Sequence, residues 1–253
     1  MICPEIADIM SVRGADVRKK SNRKGIAVMT TVIPFVILMI MVEIVIHVNQ
    51  EVRGMERSEN TGTQEYTEPL KKVALTFDDG PNPVYTPELL DGLETRNVKA
   101  TFFLLGEAVE DYPDIAKRIY EDGHLIGNHT YDHVNLGNLC ENAACEQVRK
   151  TNEIIERVTG YYPEYVRPPF GEWKENIDND VTMIKVLWNV DPLDWATGNA
   201  DAVVERVVGK CEDNDIILMH DASESSVKAA LRIIDILTKK GYEFVTVDQL
   251  ILD

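Results

Sequence analysis

Two adjacent carboxylates, Asp78 and Asp79, stand in Thr76-Phe77-Asp78-Asp79-Gly80-Pro81. Neighbouring ionised carboxylates repel each other, so a cation or a proton is expected beside one of them. Further along comes His129-Thr130-Tyr131-Asp132-His133, in which two histidines four apart can face one cation from a single turn. Two imidazoles and one carboxylate, from Asp78 or Asp79, leave a fourth position open for water, the usual arrangement of a catalytic zinc. Taken singly, each segment has a plainer reading: a solvated Asp-Asp turn, or two surface histidines in a loop. Three more segments change the balance. In Arg167-Pro168-Pro169-Phe170-Gly171 the paired prolines stiffen the backbone, and the arginine can pin a carboxylate through a bidentate contact. Asp191-Pro192-Leu193-Asp194-Trp195 carries two more carboxylates, and Ile217-Leu218-Met219-His220-Asp221 ends an apolar run on a histidine. His124 and His47 have no such context and read as structural or interfacial.

Each of the five segments follows a short apolar run, which a buried strand would explain. Strands are expected at Val73–Phe77, Ala100–Leu105, Leu125–Gly127, Tyr165–Arg167, Met183–Val190, Ile216–Met219 and Glu243–Thr246. Helices are expected between them, at Thr86–Glu94, Tyr112–Asp122, Asn142–Thr159, Asp201–Lys210 and Ser226–Lys240. Glycines at 123, 160 and 241 stand where helices stop. In the fourth of these strands Pro168-Pro169 ends the run, and Pro192 ends the fifth. Alternation of this kind means a parallel sheet with helices outside it. About seven strand-helix units close most naturally into a distorted α/β barrel, where function collects at the C-terminal strand ends. All five segments then share one rim.

The chain has 253 residues and a net charge of −17. Beyond residue 50 it holds 20 Lys/Arg against 39 Asp/Glu, a net −19. So acidic a surface argues against a nucleic-acid partner. The N-terminal part differs. Residues 1–25 are polar and basic near their end, through Arg18-Lys19-Lys20 and Arg23-Lys24. Residues 26–42 carry no charge, and the apolar character continues past Glu43 to Val48. That length fits a transmembrane anchor over 26–48, and the basic cluster before it predicts a cytoplasmic N-terminus. The long polar leader and the lack of a small-residue cleavage site after Val48 argue against a cleaved signal peptide. Residues 49–70 read as a flexible linker, and residues 71–253 as one catalytic domain outside the cytoplasm. Cys3, Cys140, Cys145 and Cys211 show no zinc-ligand spacing. Free thiols are the simplest reading, and a Cys140–Cys145 pair is the alternative outside the cytoplasm.

The motifs TFDDGP, HTYDH, RPPFG, DPLDW and ILMH, in this order, resemble those of the polysaccharide deacetylase family, carbohydrate esterase family four. The resemblance covers about Lys71 to Asp253. It implies a metal-dependent removal of acetyl groups from polysaccharide. By that resemblance Asp79, His129 and His133 hold a divalent metal, with zinc expected and Co2+, Ni2+ or Mn2+ as alternatives. Asp78 is the general base, held by Arg167. The Phe170 backbone N–H helps bind the oxyanion, Asp194 tunes the general acid His220, and Trp195 and Leu218 surround the acetyl methyl. The residues are chemically coherent without the family, because an Asp ordinarily loses its proton well below a His, as base and acid require. Peptidoglycan N-acetylglucosamine is the most reachable substrate for a membrane-anchored enzyme, with chitooligosaccharide and acetyl-xylan as alternatives. A non-catalytic glycan-binding barrel is a different class of reading, disfavoured by the complete set of acid, base and ligand residues. A phosphoryl-transfer enzyme using Asp-Asp and magnesium is disfavoured by two histidine ligands and no phosphate-cradling glycine loop. No protein partner is inferable.

Overall fold

The structure is a computed structural model that describes residues 37–51, 71–173 and 182–252. It contains two compact units, residues 1–66 and 67–253. In the first unit a helix, α1, runs over 37–51, with Ile37, Leu38, Ile40, Met41, Ile44, Val45 and Val48 all exposed. Among the described residues no helix is long and apolar enough to cross a membrane. Residues 26–36 of the expected anchor, residues 1–25 and residues 52–70 of the expected linker lie outside the described residues, as does Cys3.

The second unit is a curled parallel half-barrel. Among the described residues seven strands form it: β1 (Lys71–Asp78), β2 (Thr101–Leu104), β3 (Leu125–Asn128), β4 (Tyr165–Val166), β5 (Ile184–Lys185), β6 (Asp215–His220) and β7 (Tyr242–Val245). The order is β5-β4-β3-β2-β1-β6, with every pairing parallel. β6 runs beside β1 from Val73 to Asp78. The opposite edge of β1 is shared: β7 pairs with its first half, Lys71–Ala74, and β2 with its last residues, Thr76–Asp78. The helices α2 (Tyr85–Thr95), α3 (Gly106–Asp111), α4 (Pro113–Glu121), α5 (Glu141–Thr159), α6 (Ala200–Val208), α7 (Glu224–Lys239) and α8 (Val247–Leu252) complete the unit.

Side chains alternate across the strands, as the two-residue period requires. Val73, Leu75, Phe77, Phe102, Leu104, Ile126, Ile217 and Met219 pack in the main core with the helix residues Leu89, Leu90, Leu93, Ile155, Ile233 and Leu237. The alternate residues Ala74 and Phe103 join Tyr165, Val186 and Val247 in a separate cluster. This second face ends at Asp78 on β1 and His220 on β6, which are register partners. On α5 the expected stripe is largely buried through Val148, Ile154 and Ile155, and Gly160 ends the helix at φ +78°.

The continuous strand expected over Met183–Val190 is not found. Only Ile184 and Lys185 pair as a strand, with an isolated bridge from Val190 to Ile217. The reason is where this segment goes. Val186 N–H donates to the Val166 carbonyl of β4 at 2.9 Å, while Asn189 and Val190 N–H both donate to Ile216 on β6. One stretch of chain therefore spans the two ends of the curled sheet, and it cannot follow either edge as a regular strand. The short helices α3 and α8 were not expected from the sequence. Cys140 and Cys211 are free thiols. His124 is structural: its Nδ1 accepts from Ala100 N–H at 3.1 Å, and burial pushes its pKa down to about 4.

Candidate active site

The C-terminal ends of β1, β3, β4 and β6, with the segment before α6, converge on one cavity of about 360 Å³. β1 delivers Asp78 with its side chain on the inner face, and the chain then turns sharply at Asp79, whose φ is +71°. Backbone strain of this kind in a non-glycine residue persists only where the surroundings impose it, and it gathers at functional sites. Thr130 and His133, in the loop after β3, also have positive φ, at 69° and 58°. The two bends bring His129 and His133 round to face Asp79.

His129 Nε2 lies 3.3 Å and His133 Nε2 3.4 Å from Asp79 Oδ1. One ligand atom from each of the three residues lies within 4.8 Å of the others. Asp79 Oδ1 is buried with no hydrogen-bond partner among the described residues. A buried, unpartnered carboxylate oxygen between two imidazole nitrogens fits a divalent metal, since it would otherwise be a costly polar orphan. His129 is held by its other nitrogen, Nδ1, at 2.6 Å from the Arg167 carbonyl. This is the outer-shell bond that fixes a metal-binding histidine's tautomer and ring plane. Burial works against ionisation of Asp79, but the close approach of His129 Nε2 and the charges of His129, His133 and His220 outweigh it. Its carboxyl is held below the ordinary range. His133 is pushed below its ordinary value by burial, against the pull of Asp79.

Behind the triad lies a buried ion pair. Arg167 is completely buried, and its Nη1 donates to Asp78 Oδ1 at 2.8 Å and to Thr76 Oγ1 at 2.6 Å. The bidentate grip expected from the sequence is not formed. Nε and Nη2 are taken instead by the carbonyls of Val186 and Leu187, at 3.3 and 3.2 Å. The segment that spans the sheet's two ends thus engages the other two nitrogens of the fork, and the guanidinium lies 4.2 Å from the Phe103 ring centroid. Asp78 Oδ2, the oxygen that Arg167 leaves, is 3.8 Å from His129 Nε2.

On the far side of Asp79, His220 Nε2 stands 3.9 Å from Asp79 Oδ2. Its Nδ1 is 2.9 Å from Asp194 Oδ1, and its backbone N–H donates to Asp194 Oδ2 at 2.9 Å. Burial alone would lower the His220 pKa. The hydrogen bond and charge of Asp194, with Asp78 and Asp79, reverse this and raise it to about 9. Phe170 (φ 60°), Trp195 and Leu218 line the cavity, and the Phe170 ring meets His133 edge-on at 4.9 Å. Trp188, Asp191 and Pro168 also line it and were not singled out from the sequence. Asp191 stands in the same DPLDW segment, which was the available signal; Trp188 carried none. Asp79, Trp195 and His220 also border a second cavity of about 400 Å³, lined by Thr197, Ser223 and Ser225.

Comparison with known proteins agrees with this geometry. The family model described as polysaccharide deacetylase matches residues 65–186. A peptidoglycan-N-acetylglucosamine deacetylase of Bacillus cereus is 46% identical over 182 residues, covering 69% of this chain and 66% of that protein. A second protein of that name from the same organism is 34% identical over 189 residues, covering 72% of this chain and 88% of its own length. The peptidoglycan-N-acetylmuramic acid deacetylase PdaC of Bacillus subtilis is 43% identical over 188 residues, 74% of this chain and 40% of that protein. The solved structure of PdaC superposes with a TM-score of 0.70 at 42% identity, over 72% of this chain and 90% of that one. The chain belongs to the polysaccharide deacetylase family. It spans between two fifths and two thirds of the length of the first relatives it matches.

Proposed function

We propose that this protein removes acetyl groups from N-acetylated cell-wall polysaccharide, with peptidoglycan N-acetylglucosamine as its substrate and Zn2+ as its metal. The observation that carries the reading is one cavity holding three sets of groups: the Asp79, His129 and His133 donors, the Asp78–Arg167 pair and the Asp194–His220 pair. Asp79, His129 and His133 would hold the metal. When bound, it polarises the acetyl carbonyl and makes water a nucleophile at neutral pH.

The remaining work falls to the chain. Asp78 offers Oδ2 as general base, while Arg167 fixes Oδ1 and so fixes where Oδ2 points. The Phe170 N–H adds a fixed dipole for the oxyanion. His220, protonated through Asp194, gives its Nε2 proton to the leaving amine. Leu218, Trp188 and Trp195 form the apolar wall that the methyl group needs. The adjoining second cavity leaves room for a further sugar, which supports a polymeric substrate.

Acetate release by the full-length protein, on peptidoglycan and on chitooligosaccharides side by side, tests the reading. Metal-dependent acetate is expected, lost on chelation and restored by Zn2+. Asp78→Asn is expected to retain the metal and lose about 10²- to 10⁴-fold in turnover. No acetate from a folded, zinc-loaded protein would move the reading to a glycan-binding barrel. A preference for chitooligosaccharide or acetyl-xylan would change the substrate alone. The uncharged run over residues 26–42 and the exposed apolar side chains of α1 support an anchor with the catalytic domain outside the cytoplasm.

A further inference from the structure

Asp221, one residue beyond His220, is almost fully buried and takes no part in the chemistry above. Its nearest hydrogen-bond donor is an uncharged hydroxyl: Thr86 Oγ1, itself fully buried, donates to Asp221 Oδ2. Asp221 Oδ1 has no partner among the described residues. The carboxyl group lies flat against Gly80. A Cβ at Gly80 would stand 2.7 Å from Asp221 Oδ2, closer than real side chains approach, and a tight 3.0 Å from Oδ1. Glycine here follows from close approach, since only a bare Cα leaves room for the carboxyl group.

Thr86 carries the connection onward. Its Oγ1 accepts from Asn82 N–H at 2.7 Å, and its own N–H donates to the Asn82 carbonyl at 3.3 Å. Asn82 Oδ1 accepts from Val84 and Tyr85 N–H, at 2.9 and 3.0 Å, and so closes the start of α2. The Gly80 carbonyl is fixed separately by Leu105 N–H at 3.0 Å. The whole turn from Gly80 to Thr86 is thus tied to the end of β6 at one point, the Asp221 carboxyl group. The residue just before that turn is Asp79, bent at φ +71°.

We propose that Asp221 is a positioning residue, which through Thr86 and Gly80 latches the turn that aims the Asp79 carboxylate between His129 and His133. It follows that the end of β6 supplies an acid, His220, and, one residue later, a support for the metal ligand on β1. This inference rests on the metal-site reading above. Outer-shell supports of metal ligands commonly carry a ten- to hundredfold share of metal affinity.

The test is Zn2+ affinity of the full-length protein, measured by competition with a chromophoric chelator. Asp221→Ala is expected to weaken Zn2+ binding at least about tenfold. Thr86→Val, which keeps the shape and removes the donor, is expected to do likewise, and the double variant to lose no more than the worse single one, because the two act through one bond. Asp221→Asn keeps an acceptor for Thr86 and is expected to bind within about threefold of wild type. Val227→Ala, a core truncation on α7, is expected to lower the denaturation midpoint and leave Zn2+ affinity unchanged. Wild-type affinity in Asp221→Ala, or losses that multiply in the double variant, would overturn the latch. So would an equal loss in Val227→Ala. A wild-type protein that binds no Zn2+ would instead overturn the metal-site reading itself.

Discussion

At neutral pH the His220 imidazole carries a proton because Asp194 accepts from its Nδ1 and, through the other carboxylate oxygen, from its backbone N–H. With a pKa near 9 the proton is present throughout the physiological range and is lost as pH rises through 9. The descending limb of the kcat profile belongs there if His220 is the acid. Asp194→Asn removes the largest raising influence and leaves burial, opposed only by Asp78 and Asp79, so the limb should move to lower pH. At pH 8 the protonated fraction, and kcat with it, should therefore fall below wild type. A kcat profile unmoved by Asp194→Asn would take His220 out of the acid role. The same pair affects stability with a definite sign. The folded pKa lies above the unfolded one, so the stabilisation is complete below about 6.5 and gone above about 9.

Among the elements, β3 shows how the sheet positions a buried charge. Gly127 faces Phe103 on the neighbouring strand, and a Cβ there would stand 2.4 Å from Phe103 Cδ1. Phe103 in turn carries the Arg167 guanidinium on its ring, and Arg167 holds Asp78. Gly127→Ala should therefore push the ring into the ion pair. Overpacking of this kind costs about 1–3 kcal/mol, read in a urea melt, and the displaced Asp78 should lower kcat more than KM. An alanine variant with wild-type stability and kcat would break the chain from Gly127 to Asp78. This coupling was not legible in the sequence, although its endpoints were. The inner and outer faces of β1 and β6 follow from alternation, and the segments holding Asp78, Asp79, His129, His133, Arg167 and His220 stand out because each follows an apolar run, while Asp194 was set apart from Asp191 only by the family resemblance. Tertiary placement decided the rest. Residues 184–190 have the composition of a strand, yet they must span both ends of the sheet. Arg167 has the composition of a bidentate clamp, yet two of its donors are claimed by carbonyls of that same segment. Trp188 enters the cavity only because the segment crosses there.

On the scale of the whole molecule, charge and hydropathy divide the chain more sharply than any motif does. The part beyond residue 50 carries a net −19, and the stretch from 26 to 42 carries none. An anchored enzyme that acts on a wall polymer needs reach beyond the membrane surface, which a flexible tether supplies. The polar run over 49–70 has the composition of such a tether. The five basic residues at 18, 19, 20, 23 and 24 precede the uncharged run and favour a cytoplasmic N-terminus. α1 exposes its apolar residues over the second half of the stretch, and a lipid environment would remove that cost. Fractionation of cells making the full-length chain is therefore expected to leave it in the membrane pellet after an alkaline carbonate wash, and deletion of residues 26–48 to release it. Protease added to wall-stripped, intact cells is expected to destroy the catalytic domain and spare cytoplasmic markers. Full-length protein in the alkaline wash would show that the apolar stretch is not a span. A domain that survives protease until the cells are lysed would place the site on the wrong side of the membrane for peptidoglycan, whatever its chemistry.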